Sequence, residues 1–459
     1  MNWRTSLTRQ ASGLWWRRYL SRNAAPWQEL DHFRFLSPAE QRRILASRLL
    51  DQIRYFGRRA DALPEWREAA GIDDPDELWR IWPSLPILRK QDLRERFDPV
   101  AIQERFGLDG RVDASGGSTG EPTRFFHDRR MTFTAVAAET YTRLRMGWKL
   151  GMPTICVWGS DRDLGREVSL RLRLHSRLLN EFAVDGYSLT LHTAERVWDV
   201  VRRNGGVAIY GFTSMLEYVA RKTLESGTNF PAGSVCTAWN GGEMLFHEQS
   251  EVFRRAFGVP ILNRYGGREL GAMACQFGVQ ETLSILRPWL FLEMVDDSGK
   301  PVGPGQTGRL VWTSTICRGT PFLRYDIEDL GMFDAVHQDE SGVTALQQLD
   351  GRMAGLFELP DGRKVSCLFW NHLFKELSAV HQFQIVLKKN GSIEFLLAGQ
   401  ELSPVQEAEL SNTVRGFLHA TPFRFSWVQK IPRTARGKLV QVVREGAGDS
   451  TRAAGNDVS

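Results

Sequence analysis

The sequence predicts an α/β protein: a large N-terminal domain of parallel β-sheets with helices plus an antiparallel sub-barrel, and a small C-terminal α+β domain. Three observations predict it. Between residues 150 and 267, strand-like apolar runs alternate with amphipathic helix-like runs, the pattern of parallel strands joined by crossover helices. Beyond residue 285 the apolar runs are separated by tight-turn chemistry, the pattern of antiparallel strands. Past about residue 352 a hairpin signal and a single helix mark a smaller unit. The chain has 459 residues, 42% hydrophobic and 25% charged, which excludes a mainly disordered or fibrous chain. No stretch approaches the ~18 uncharged apolar residues of a membrane span.

Residues 1–30 are basic and aromatic, with Trp3, Trp15, Trp16, Tyr19 and Trp27. They read as a basic amphipathic helix at an anionic membrane surface, or as a helix docking its aromatics on the main domain; docking is the favoured reading. Ser37-Pro38-Ala39-Glu40 is a capping box with proline at the first helical position, and Leu45, Leu49, Ile53 and Phe56 follow at helical spacing. Thr154–Trp158 runs into Gly159, Val207–Tyr210 into Gly211, and Val235–Trp239 into Asn240-Gly241-Gly242-Glu243. Ile261–Leu262 runs into Asn263-Arg264-Tyr265-Gly266-Gly267. Glycines and polar residues thus gather at the carboxyl ends of the parallel strands, where such sheets bind ligands. Leu290–Val295, the turn 296–299 and Arg309–Thr313 read as antiparallel. Phe383–Leu387 and Ile393–Leu397 flank Asn390-Gly391; a helix is expected at 404–419 and a last strand at 424–430. The expected division is 1–352 for the large domain, 353–445 for a small C-terminal domain and 446–459 for a disordered tail. There is no internal repeat.

Lys and Arg number 59 and Asp and Glu 54, a net charge of +5 that permits anionic ligands without demanding nucleic acid. The five cysteines are scattered and form no C-x-x-C pair, which fits a reducing compartment rather than a disulfide framework. Arginines interrupt every N-terminal apolar stretch, so no signal peptide is expected and the cytoplasm is the expected location.

Five segments carry candidate chemistry. Residues 115–123 (SGGSTGEPT) combine small hydroxyls with glycines, so backbone N–H groups and hydroxyls can face an anion; alone, the segment reads equally as a flexible surface loop. It lacks the Gly-Lys-Ser/Thr ending of a Walker A loop. Tyr265-Gly266-Gly267-Arg268-Glu269 offers an aromatic for stacking and a carboxylate for Mg²⁺, or simply a turn before a helix start. Residues 324–329 (RYDIED) offer acceptors for ribose hydroxyls, or a solvated acidic turn. Asp350-Gly351-Arg352 falls at the change of style, and Pro432–Leu439 places Lys438 after a glycine in a basic loop, which alone reads as a surface patch.

In this order and at these separations the segments resemble the adenylate-forming superfamily of acyl-CoA synthetases and adenylation domains. The match is closest to its phenylacetate–CoA ligase-like branch, which includes proteins of capsular polysaccharide biosynthesis. The resemblance covers about 35–445, and 86–93 (PILRKQDL) is similar to that branch's lead-in to the glycine-rich loop. It implies ATP, Mg²⁺ and CoA or a carrier-protein thiol as reactants, with a carboxylic acid as the substrate to be activated. Tyr210, Phe212 and Trp239, near the acyl pocket so implied, favour a flat or aryl acid, and read equally as ordinary core residues. Ser115, Ser118, Thr119 and Gly120 would hold the β- and γ-phosphates. Gly241, Gly242 and Glu243 would lie near adenine and the acyl pocket; Tyr265 would stack on adenine with Gly266 beside it, Glu269 would hold Mg²⁺, and 353–445 would be a mobile lid. Asp329 would bind the ribose with support from Arg352, and Lys438 would be delivered by the small domain to the reacting carboxylate.

Four departures stand out. The family commonly has lysine at the position of Glu121, glycine at that of Glu328 and an acidic pair at Ala354-Gly355. Cys275 is followed by no histidine before His337, so no structural zinc is expected. The altered Glu121, Glu328 and Ala354-Gly355 motivate an alternative: a nucleotide-binding capsular polysaccharide biosynthesis protein with reduced or altered ligase chemistry.

Overall fold

The computed structural model describes residues 3–22, 24–115, 123–158, 176, 178–186, 191–278, 281–351, 356–359, 364–366, 370, 373–374, 377, 379–431 and 442–445. The fold class is as predicted. Five strands form an all-parallel sheet in the spatial order Glu181–Asp185, Thr154–Trp158, Val207–Gly211, Val235–Asn240, Ile261–Leu262. The crossover helices Leu191–Asn204, Thr213–Glu225 and His247–Phe257 bury Val197, Val201, Met215, Leu216, Val219, Phe253 and Phe257 against it. The central strands read as near-continuous apolar runs because helices cover the sheet.

Two antiparallel four-stranded sheets make the half-barrel. One pairs Arg264–Gly267, Gly271–Gln276, Leu283–Ile285 and Ala345–Leu346. The other pairs Leu290–Val295, Gly308–Ser314, Tyr325–Met332 and Gln348–Gly351. The N-terminal helices close over these sheets. The Ser37 capping box forms as predicted, with Ser37 Oγ accepting from Glu40 N–H, and Leu45, Leu49, Ile53 and Phe56 are buried. The helix Trp3–Arg22 docks on the body: Trp16 is buried edge-on to Trp148, and Arg9 donates to the Gly206 carbonyl. No described helix is long and apolar enough to cross a membrane.

The C-terminal sheet is mixed, Phe423–Trp427, Ile393–Gly399, Val380–Leu387 and Val442–Arg444, with the helix Pro404–Leu418 supplying Leu410, Val414, Phe417 and Leu418 to the same apolar cluster as Trp370, Phe374 and Phe395. The Asn390-Gly391 turn forms, with Gly391 at φ +79°.

Two readings need correcting. Residues 324–329, which alone read as a solvated acidic turn, open the strand Tyr325–Met332, with Asp326 buried against Arg309. The strand Glu181–Asp185 goes unmarked in the sequence because it is an edge strand with charged ends.

Candidate functional site

The glycine-rich segment hangs from an antiparallel ribbon. Gly110–Ala114 pairs with Arg124–Asp128, the last rung joining Ala114 to Arg124. Beyond that rung Ser115 N–H donates to Thr123 O (2.9 Å) and Thr123 N–H to Ser115 Oγ (3.2 Å). Arg94 Nε donates to Thr123 Oγ1 at 3.1 Å. The buried Ser115 hydroxyl therefore braces the loop's base. Residues 116–122, with Ser118, Thr119, Gly120 and Glu121, lie outside the described residues, as do Arg352, Ala354-Gly355, Lys438 and 446–459.

The Tyr265 segment sits beside this ribbon. Arg268 Nη1 donates to Ala114 O (3.5 Å), and the buried His127 imidazole meets Glu269 O through Nε2 at 2.8 Å. Burial holds the His127 pKa below its ordinary value, which keeps the ring neutral with one ring N–H to donate. Glu269 is itself buried. The strand Arg264–Gly267 lies against Gly271–Gln276 so closely that a Cβ on Gly266 would come within 2.6 Å of Gly271 O, and one on Gly267 within 3.2 Å of Glu269 Oε2. Gly266, which faces backbone, needs glycine for that approach.

Asp329 completes the cluster. Tyr265 Oη donates to Asp329 Oδ2 at 2.7 Å, and Tyr265 packs beside Trp312. Asp329 remains partly exposed, whereas Asp326 is spent on Arg309 and Arg324 on Glu293, Pro83 O and Leu85 O. Of the acidic run, Asp329 is the carboxylate that is both placed by the site and open to solvent beside Tyr265. The loop base, the Tyr-Gly-Gly strand and the Asp329 strand thus share one locality.

The turn after Val235–Asn240 is held by Asn240, fully buried. Its amide donates to Thr213 Oγ1 and to Glu243 O, each at 2.9 Å, and accepts from Arg264 N–H at 2.9 Å. Glu243 accepts from Ser214 N–H (2.7 Å) and Ser214 Oγ (3.0 Å), satisfying an orphan donor at the start of the helix Thr213–Glu225. Burial pushes the Glu243 pKa up to about 7, against the pull of the Ser214 bonds. Gly242 has φ +74°, and a Cβ there would meet Phe212 at 2.6 Å.

The raised Glu243 pKa has a testable consequence. Between about 4.5 and about 7 the folded chain holds a proton that the unfolded chain does not, so this group's contribution to stability falls as pH rises through that window and is level above it. At about 1.4 kcal/mol per unit the ceiling is about 3 kcal/mol. Glu243→Gln removes the titration. The melting temperature of the native chain relative to this variant is expected to be lower at pH 8 than at pH 5; parallel profiles would refute it.

Along the carboxyl edge of the parallel sheet runs a row of rings. Phe212 stacks on Trp158 (centroids 3.8 Å, 12°), Trp158 on Tyr210 (5.1 Å, 17°) and Tyr210 on Trp239 (5.7 Å, 25°). Tyr210, Phe212 and Trp239 are the aromatics the sequence reading places near the acyl pocket; Trp158 joins them only through the sheet register. Near Trp239 lies a half-buried ion network. Arg143 bonds Glu139 (3.0 Å) and Glu181 (2.7 Å), and Arg264 also pairs with Glu139. Burial pushes Glu139 up, but the two guanidinium groups outweigh it and hold its carboxyl below the usual range.

His127 and Asn240 escape sequence reasoning as site residues. His127 meets a carbonyl 142 positions away, and nothing local marks that. Asn240 stands at a visible strand-end turn, but its three partners come from separate elements.

No protein-family model and no curated protein matches the sequence. Among solved structures, 2-hydroxyisobutyryl-CoA ligase in complex with 2-HIB-AMP and CoA in the thioesterification state is similar, with a TM-score of 0.53 and 18% identity, over 89% of this chain and 91% of that one. The same ligase in the postadenylation state with 2-HIB-AMP gives 0.52 and 18%, over 89% and 90%. Its open conformation with 2-HIB-AMP and CoA gives 0.51 and 18%, over 89% and 92%. The likeness runs through nearly the whole of both chains, and the chain therefore has the fold of the adenylate-forming CoA ligases.

Proposed function

We propose that the chain is an ATP-dependent, AMP-forming carboxylic acid ligase of the phenylacetate–CoA ligase-like kind. The observation that carries the reading is the meeting of three distant segments: the base of the Ser115–Thr123 loop, the Tyr265–Glu269 strand end and Asp329. In this reading Ser118, Thr119 and Gly120 hold the β- and γ-phosphates while Ser115 fixes the loop's root. Gly242 and Gly266 let the backbone approach the nucleotide, and Asp329 accepts the ribose hydroxyls with Arg352 in support. Tyr265 borders the adenine and holds Asp329 in place through its hydroxyl. Glu243 shapes the turn between nucleotide and acid.

Among the described residues no three His, Cys, Asp or Glu side chains are gathered to hold a metal. Glu269 fits as a single carboxylate ligand to Mg²⁺, a hard cation that takes its other ligands from phosphate oxygens and water. Bound there, Mg²⁺ would neutralise phosphate charge.

The chemistry is a substitution at phosphorus. A carboxylate is a poor electrophile because its leaving group would be oxide. Its oxygen attacks the α-phosphorus of ATP, the bond to pyrophosphate breaks, and an acyl-adenylate forms. A thiol, from CoA or a carrier protein, then attacks the acyl carbon and AMP leaves. Two anions meet in the first step, so Lys438 is placed to stabilise the charge that develops there. Residues 353–445 act as the lid that brings it in and withdraws it. The solved 2-hydroxyisobutyryl-CoA ligase, recorded open, after adenylation and during thioesterification, supports such a cycle. The stacked row Phe212–Trp158–Tyr210–Trp239 supports a flat, aromatic acid. Burial raises the Tyr210 hydroxyl well above its ordinary pKa, so it stays protonated as a donor. Scattered free thiols at Cys156, Cys236, Cys275 and Cys317 support a reducing, cytoplasmic setting.

The test is ATP–pyrophosphate exchange with panels of aryl, fatty and hydroxy acids. Exchange with aryl acids above the others is expected. ATP binding with no exchange for any acid would favour the capsular polysaccharide alternative, to which the Glu121, Glu328 and Ala354-Gly355 departures point.

A further inference from the structure

Glu328, immediately before Asp329, has φ +70°, the left-handed region in which a side chain is strained and glycine is not. Its backbone N–H donates to Asp326 Oδ1 at 2.9 Å. Its carboxylate accepts from Lys90 Nζ at 2.9 Å. Lys90 is only 6% exposed, and Glu328 is the carboxylate its ammonium meets among the described residues. A buried ammonium needs such a partner.

The pair extends a backbone bridge. Leu88 N–H donates to Arg324 O (3.0 Å) and Asp326 N–H to Leu88 O (2.8 Å), so residues 88–90 run alongside 324–328. Lys90 opens the helix Lys90–Arg96, whose Arg94 holds Thr123 at the root of the glycine-rich loop. One short helix thus touches both the loop's base and the turn that presents Asp329.

We infer that Lys90 is a positioning residue for Asp329: its ion pair with Glu328 holds the left-handed turn that aims the ribose-binding carboxylate, where an unstrained turn would use glycine. Tyr265 fixes the Asp329 side chain, and Lys90 fixes the backbone that carries it. This inference rests on the nucleotide reading of the site.

The test is titration of ATP with magnesium chloride into the full chain by calorimetry, alongside thermal melting. Lys90→Met removes the ammonium without leaving a buried charge, and is expected to raise the Kd for ATP at least threefold while the chain still melts cooperatively. Lys90→Met combined with Glu328→Gly is expected to restore the Kd to within twofold of the native chain, because glycine adopts φ +70° without a strut. Rescue by a substitution that removes a second polar group separates positioning from general packing. An unchanged Kd in Lys90→Met, or a double variant no better than the single one, overturns the inference. A native chain that binds no ATP overturns the nucleotide reading, and the inference with it.

Discussion

Asp329→Ala is expected to raise the KM for ATP by at least tenfold, with a smaller effect on kcat. Hydrogen bonds to a charged group contribute about 1.5–3 kcal/mol each, so losing even one to a ribose hydroxyl corresponds to roughly a ten- to hundredfold loss of affinity. The structure adds a constraint to this number. Asp329 also accepts the Tyr265 hydroxyl at 2.7 Å, so its removal costs that hydrogen bond as well. Tyr265→Phe alone is expected to reproduce part of the KM effect, and the double variant to fall short of the sum, because both act through one carboxylate. Steady-state kinetics with varied ATP measures all three. A KM for Asp329→Ala within twofold of the native value would place the ribose elsewhere.

Lys438→Ala is expected to lower adenylate formation at least ~10²-fold, as for other preorganised cations aimed at developing charge. The loss should fall on kcat for pyrophosphate exchange, leaving ATP binding and the melting temperature near native, since the proposed role confines the lysine to the reacting centre. Hydrolysis of a chemically supplied acyl-adenylate, or its transfer to a thiol, should survive better than its formation. A variant that still exchanges pyrophosphate at near-native rates would remove Lys438 from the chemistry.

The parts of the fold that could be read in the sequence are those whose physics is local. The Ser37 capping box, the Asn390-Gly391 turn and the apolar runs of the parallel sheet each announce themselves within a few residues. The strands Glu181–Asp185 and Val442–Arg444 did not, because edge strands need little apolar content and both are short. Asp326 shows the same limit from the other side. An aspartate is disfavoured in a strand, and it is tolerated here because Arg309, on the neighbouring strand, neutralises it.

The site divides in the same way. Asp329, Tyr265 and Glu269 stand out as candidates through the family resemblance of their segments, and the fold brings Tyr265 and Asp329 into contact. Such contacts could not be read from the sequence, nor could the service residues: His127 under Glu269, Asn240 joining three elements, and Lys90 beneath Glu328. Each of these bonds spans elements whose closeness is a product of the folded chain. Glu328 is the instructive case. Read locally, it is a glycine position filled by the wrong residue; in three dimensions its carboxylate has a dedicated cation.

The clasp between Ser115 and Thr123 ties the two ends of the glycine-rich segment to each other. Their spacing is set by the backbone rungs beneath them and by Arg94. That seat is closed by its own hydrogen bonds, so its two ends are registered to each other without help from the residues between them. An engineer can therefore treat the intervening sequence as an exchangeable cartridge and the seat as its socket.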